Sequence, residues 1–180
     1  MLVDNLKSGK HGVVEREGTA IIPVVRRLLA RCRRAKIPVV YANDSFLPDD
    51  PLFLGRLKPH SLQGTPGAEV IAELKPEAGD LVMPKRRFSA FFKTDLDKTL
   101  RAWGIDTVAV CGVTTTFCVL TTALDALAHD FQAVILEDAA AAHKREVHEA
   151  CLALYRKNAV WPRLRVQTSD AFLSDAEACT

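Results

Sequence analysis

Short apolar runs alternate along this chain with longer stretches in which apolar residues recur at helical spacing. The runs predict buried strands at residues 37–42, 80–83, 106–111, 132–136 and 164–167, after a very short run at 1–3. Helical spacing predicts helices over residues 19–35, 94–103 and 144–157, and one that begins near Cys118. Strands that alternate with helices favour a parallel sheet covered by helices on both faces.

The stretch from 107 to 129 is the most informative part of this pattern. An apolar run that includes Val108 and Val110 is typical of a buried parallel strand, and Gly112 ends it. Helical spacing starts at Cys118, so this thiol is expected at the carboxyl edge of the sheet, where open α/β sheets bind ligands. The positive end of a helix favours a thiolate, which makes Cys118 a candidate nucleophile. The alternative is a small buried core residue, since cysteine is often buried.

Composition narrows the function classes. The 180 residues predict one domain spanning 1–180, and a net charge of +2 without a basic stripe gives no indication of nucleic-acid binding. The five cysteines are widely spaced and form no CxxC pair, so neither a zinc site nor a disulfide framework is indicated. No signal peptide or membrane-spanning run is recognised, and we expect a cytoplasmic protein with no membrane partner.

Two segments resemble a known family. Residues 112–119, GVTTTFCV, resemble the nucleophile turn of the isochorismatase-like cysteine hydrolases, which include nicotinamidases and N-carbamoylsarcosine amidases. Residues 85–97 resemble that family's K-x-x-[YF]-S-x-F-x-x-T-x-L-D signature. The matching residues are Lys85, Phe88, Ser89, Phe91, Thr94, Leu96 and Asp97. The likeness extends from the strand at 37 to about Ala140.

The resemblance implies a three-layer αβα fold of Rossmann-like topology, with a six-stranded parallel sheet flanked by helices. It also implies hydrolysis of an amide-type C–N bond in a small amide or ureido compound. Cys118 would attack the carbonyl carbon to form an acyl-thioester, with Lys85 beside it. A cis peptide is implied between Val113 and Thr114, and the backbone N–H groups of Thr114 and Cys118 would form the oxyanion hole. No cofactor is implied.

The family's catalytic aspartate has two possible positions. In one alignment, residues 1–4, MLVD, place Asp4 at the end of the first strand as the base. In the other, these residues match the segment that follows the aspartate, so that the first strand and the base would precede Met1. Residues 1–3 are short for a central strand in either alignment.

A metal site is the weaker interpretation. His60 lies in PHSLQGTPGAE, which resembles a loop where nicotinamidases of the family bind a divalent metal, and Asp44 fits their aspartate position. Catalytic metals usually keep three protein ligands, and no further histidine follows Asp44 before residue 53. We therefore expect no metal and interpret His60 as structural or substrate-facing. The other four histidines are expected on the solvated surface.

Two alternatives to a metal-free cysteine hydrolase remain open. One is a metal-dependent nicotinamidase. The other belongs to a different class, namely a catalytically impaired family member that acts as an oligomeric binding protein. We expect the chain to form homo-oligomers in either case.

Overall fold

The structure is a computed structural model that describes residues 1–7 and 14–178. Its strands are β1 (Val40–Asp44), β2 (Leu81–Lys85), β3 (Thr107–Val113), β4 (Gln132–Ala141) and β5 (Leu164–Gln167). Its α-helices are α1 (Val3–Leu6), α2 (Glu15–Ala20), α3 (Ile22–Arg34), α4 (Leu96–Ala102), α5 (Leu120–Ala128), α6 (Arg145–Arg156) and α7 (Ser169–Ala178). No helix in these two ranges is long and apolar enough to cross a membrane.

Strand β4 shows how the layers are arranged. Val134 and Leu136 belong to an apolar cluster with helices α3 and α7, whereas Ala133 and Ile135 belong to a second cluster with α4, α5 and α6. Successive side chains of a strand point to opposite faces, so helices cover both sides of the sheet. Every strand pair is parallel. The α/β class and the αβα layers are confirmed.

The predicted single six-stranded sheet is not observed. The described residues form five strands in two sheets, with β1 beside β2 in one and the order β3-β4-β5 in the other. The run at residues 1–3, predicted as the first strand, instead makes one antiparallel bridge from Leu2 to Val70 and then enters α1. Three apolar residues are too few to hold a place between two strands.

The helix predicted over 19–35 is divided into α2 and α3. Pro23 stands in the first turn of α3, where its missing N–H costs nothing, but it cannot donate to a carbonyl of the preceding turn. The chain therefore ends one helix and begins another at Ile21.

The long segment between β1 and β2 is held by a buried carboxylate. The side chain of Asp50 is fully buried and accepts hydrogen bonds from Arg86 at 2.6 Å and Arg87 at 3.0 Å, which both follow β2. It also accepts the backbone N–H of Leu47 at 2.8 Å. The pKa of Asp50 lies well below its usual range, mainly because of the hydrogen bond from Arg86. This contact fixes the loop to the sheet edge where β1 and β2 end.

Replacing Asp50 by asparagine is expected to lower the free energy of unfolding at pH 7 by about 2 kcal/mol, because a buried, charged acceptor is lost. Asp49→Asn is the matched control, since Asp49 is exposed, and should change stability by less than about 0.5 kcal/mol. Urea denaturation measures both variants.

The pH dependence of the same measurement gives a second check. A depressed pKa stabilises the fold above the unfolded-state value of about 3.9, and that contribution is lost as the pH falls below it. The stability difference between the original protein and Asp50→Asn should therefore narrow below about pH 4. A difference that is constant from pH 7 to pH 3 would contradict the buried ion pair.

Candidate active site

A lysine, a carboxylate and a thiol meet at the carboxyl edge of the strands. The Nζ of Lys85 donates to Asp44 Oδ1 and to the backbone carbonyl of Arg87 at 2.9 Å, and it lies 3.7 Å from the Sγ of Cys118. The Lys85 side chain is only 3 % exposed and that of Asp44 12 %. A buried ammonium is thus placed between a carboxylate and a potential nucleophile.

The strands place each of these groups. Asp44 and Lys85 are the last residues of β1 and β2, and the register of this parallel pair sets them side by side. Cys118 follows β3 in a π-helical turn, Thr115–Val119, that leads into α5. The peptide bond between Val113 and Thr114 is cis, and Gly112 before it has a φ of 108°, which favours glycine.

Burial raises the pKa of the Cys118 thiol, and the negative charge of Asp44 raises it further. The Lys85 ammonium and a hydrogen bond from the Thr114 N–H lower it, but only in part. Burial is the largest cause of the raised pKa of Cys118 and outweighs the contribution of Lys85. A raised pKa disfavours the thiolate, so an attack by Cys118 needs a proton acceptor.

Contacts beyond this cluster fix the segments that carry it. The hydroxyl of Thr122 in α5 accepts the backbone N–H of Ala90 at 3.0 Å, which joins the segment after Lys85 to the cysteine helix. The rings of Phe88 and Phe117 lie 5.0 Å apart, and Phe117, next to Cys118, is 53 % exposed. An aromatic pair therefore stands on the solvent side of the cluster.

The sequence analysis missed a buried histidine that supports the turn that carries Cys118. His148 on α6 is 2 % exposed, and its Nδ1 is hydrogen-bonded to the hydroxyl of the buried Thr115 at 2.8 Å. The expectation of a solvated surface is wrong for His148, while His11 lies outside the described residues. The signal was the helical spacing, because His148 stands four residues before Leu152 on the buried face of α6.

The structure places Asp4 and His60 in different surroundings from Cys118. Asp4 lies in α1, where its Oδ2 accepts the backbone N–H of Ser61 at 2.7 Å. A Cβ on Gly67 would come within 2.2 Å of the same carboxylate, so this contact requires glycine there. His60 Nδ1 donates to the Lys58 carbonyl at 2.8 Å, and its ring packs edge-on against Phe46.

The donors at this edge do not fit a metal centre. Asp44 faces the Lys85 ammonium, and within 1–7 and 14–178 no three His, Cys, Asp or Glu side chains form a group that could hold a metal ion. A catalytic metal usually needs three protein ligands.

Comparisons with known proteins agree on one family. The Isochorismatase domain model matches residues 6–165. Ureidoacrylate amidohydrolase RutB of Variovorax paradoxus is 51% identical over 71 residues, which are 39% of this chain and 28% of that protein, so the chain spans well under two thirds of that relative.

Two solved structures share the fold over most of their length. N-carbamoylsarcosine amidase from Thermoplasma acidophilum is 39% identical, covers 86% of each chain and gives a TM-score of 0.73. Pyrazinamidase of Pyrococcus horikoshii, solved in complex with zinc, is 30% identical, with 84% of this chain and 87% of that chain covered and a TM-score of 0.73.

The charges around Cys118 predict its reactivity. Its alkylation by iodoacetamide should rise with pH through a midpoint above the ordinary cysteine pKa of about 8.5. Asp44→Asn removes a negative charge and should move the midpoint down, whereas Lys85→Met removes a positive charge and should move it up. Mass spectrometry of the Cys118 peptide at several pH values measures the rate.

Asp49→Asn removes a carboxylate elsewhere in the loop and serves as the control. It should leave the pH midpoint of Cys118 alkylation unchanged. A midpoint below 8.5, or shifts of the same sign in Asp44→Asn and Lys85→Met, would show that these charges do not govern the thiol.

Proposed function

We propose that this chain, which belongs to the isochorismatase family, hydrolyses an amide-type C–N bond of a small molecule with Cys118 as the nucleophile. The observation that carries the proposal is the Lys85 ammonium, which lies 3.7 Å from Cys118 Sγ at the edge where the strands end. Open α/β sheets bind their ligands at that edge. The names of the relatives, an amidohydrolase and two amidases, support the reaction class.

The proposed reaction has two stages. A carboxylate takes the thiol proton, and Cys118 Sγ attacks the carbonyl carbon. The C–N bond breaks, the nitrogen leaves with a proton as ammonia or an amine, and an acyl-thioester remains. Water then attacks the thioester, releases the carboxylic acid and restores the thiol. The backbone N–H groups of Thr114 and Cys118 stabilise the oxyanion in both stages.

The proton acceptor has three candidates. Among the described residues, Asp44 is the carboxylate that pairs with Lys85, and its negative charge raises the pKa of the Cys118 thiol. We assign the proton transfer to Asp44. Asp4 is the second candidate, but its carboxylate is engaged by the backbone of Ser61. The third is an aspartate that precedes Met1, as the second alignment implies, and this stays a prediction.

The substrate class follows from the relatives rather than from the pocket. RutB is named for ureidoacrylate and the Thermoplasma enzyme for N-carbamoylsarcosine, which both contain a ureido group. We propose a small amide or ureido substrate for this chain. A cytoplasmic location and a homo-oligomer remain part of the proposal.

Replacing Cys118 by alanine should lower the hydrolysis of an accepted substrate by at least about three orders of magnitude, because the reaction loses its nucleophile. Cys151→Ala, a change of the same kind on α6, is the matched control and should retain turnover. Ammonia release from a panel of small amides and ureido compounds identifies the substrate and measures the rates. Unchanged turnover in Cys118→Ala would contradict the mechanism.

The same assay separates the candidate bases. Asp44→Asn should lower turnover by about two to four orders of magnitude, the usual range for general acid–base catalysis, and Asp49→Asn should not. Loss of activity in Asp4→Asn but not in Asp44→Asn would assign the role to Asp4. If the unaltered 180-residue chain hydrolyses nothing in the panel, the impaired binding protein becomes the better interpretation.

Turnover should survive extensive chelation, because Asp44 is paired with Lys85 and His60 with the Lys58 carbonyl. Activity before and after dialysis against a strong chelator checks this. Loss of activity that zinc, iron or manganese restores would instead support a metal-dependent nicotinamidase.

A further inference from the structure

A cavity of about 230 Å³ lies beside the end of β2 and the segment that follows it. The described residues that line it are Pro84, Arg86, Arg87, Phe92 and Lys93. Three of these side chains are cations and none is an anion, and the lysine, carboxylate and thiol of the candidate active site are not among them. The cavity is therefore a separate pocket in which positive charge prevails, and such a pocket attracts anions.

A single buried carboxylate holds both arginines of this cavity in place. Asp50 Oδ1 accepts a hydrogen bond from Arg86 Nη2 at 2.6 Å and another from Arg87 Nη1 at 3.0 Å. The second oxygen, Oδ2, accepts Arg86 Nε at 3.2 Å and the backbone N–H of Leu47 at 2.8 Å. Each carboxylate oxygen thus accepts two hydrogen bonds, which is its usual capacity. One negative charge compensates two guanidinium charges, and both guanidinium groups remain partly exposed.

The two arginines keep donors for a further partner. Arg86 Nη1 and Arg87 Nη2 make no hydrogen bond with any described residue. Two cations held on the same carboxylate repel each other, so an anion that binds both would relieve this repulsion. Asp49 also acts on the charge of Arg86, but it is exposed, and solvent and salt weaken its effect. The planar fork of a guanidinium group matches the geometry of a carboxylate.

The remaining walls of the cavity combine a third cation with apolar surface. The Nζ of Lys93 lies 5.5 Å from the centroid of the Phe92 ring, and within the described residues it forms no ion pair with a carboxylate. The Phe92 ring is exposed, as is Pro84 of β2. Small-molecule sites typically join an apolar wall to a few polar groups that fix the orientation of the ligand. A ligand that uses both kinds of wall has an anionic group and a small apolar body.

We propose that this cavity binds a small aryl carboxylate, with the carboxylate held by Arg86, Arg87 and Lys93 and the ring against Phe92 and Pro84. An aryl ring suits this wall because aromatic pairs gain energy beyond the burial of their area. Asp50 fixes the arginines before the ligand arrives, so little side-chain freedom is lost on binding. This inference does not depend on the proposed catalytic function.

The test titrates the 180-residue protein with sodium benzoate and follows the backbone amides by ¹H–¹⁵N NMR, which reports both the affinity and the place of binding. Benzyl alcohol is the neutral comparison of similar shape, and inorganic phosphate is the anion without a ring. The amide signals of residues 86–93 should shift and saturate with benzoate. Neither comparison should saturate these shifts at the same concentrations. Raising the salt concentration from about 20 mM to about 200 mM should weaken benzoate binding, because part of the attraction is between charges.

Two variants change the cavity without removing a contact of Asp50. Lys93→Gln removes an exposed cation, and the dissociation constant for benzoate should rise by at least about threefold. Phe92→Ser removes the exposed ring and should weaken binding by a similar factor. Lys98→Gln removes another exposed lysine, on α4, and is the matched control that should leave the dissociation constant unchanged. The same NMR spectra show that each variant is folded, since only signals near the substitution should move.

Three results would overturn the proposal. The first is the absence of saturable shifts at residues 86–93, and the second is equally tight binding of phosphate, which would leave the apolar wall without a role. The third is binding that Lys93→Gln and Phe92→Ser leave unchanged, with shifts confined to residues 113–119. Benzoate would then bind beside Cys118, as a reaction product would, and the proposed hydrolase would stand without this second site.

Discussion

The buried ammonium of Lys85 is the constraint on which the site depends. A cation that is only 3 % exposed has lost nearly all of its hydration, so it requires a negative partner and further acceptors. Asp44 and the Arg87 carbonyl meet this need, and both positions are set by the parallel register of β1 and β2. The same requirement holds Asp44 close enough to Cys118 to oppose ionisation of the thiol.

The cysteine turn is held by contacts that lie behind it. Thr115 is fixed to His148 on α6, and Thr122 holds the backbone of Ala90. Together these two contacts connect the turn after β3, α5, α6 and the segment after β2. The nucleophile thus stands on a turn that packed elements restrain from several directions, as preorganised catalysis requires.

Local patterns were enough to predict most of the elements and the positions of Cys118 and Lys85, because apolar periodicity and short motifs are contiguous in sequence. Lys85 and Asp44 are 41 residues apart in sequence, and their contact forms only because β1 and β2 become neighbours in the sheet. No local sequence pattern records which strands become neighbours. His148 was wrongly assigned to the surface because charged residues flank it in sequence. Its position four residues before Leu152 nevertheless places it on the buried face of α6. Asp50 could not be told from Asp49 by sequence, since only the folded loop decides which one meets Arg86.

The division between β1 and β3 also has a consequence for cooperativity. Small domains unfold in one step when their parts share many contacts. Within the described residues, packing and side-chain hydrogen bonds connect the β1–β2 sheet with the β3–β4–β5 sheet, and no backbone ladder joins them. The two sheets therefore share fewer backbone hydrogen bonds than the strands of one sheet would, which weakens the coupling between them. A change in stability such as that of Asp50→Asn then belongs first to the part that holds β1 and β2, and a probe in that part reports it most directly.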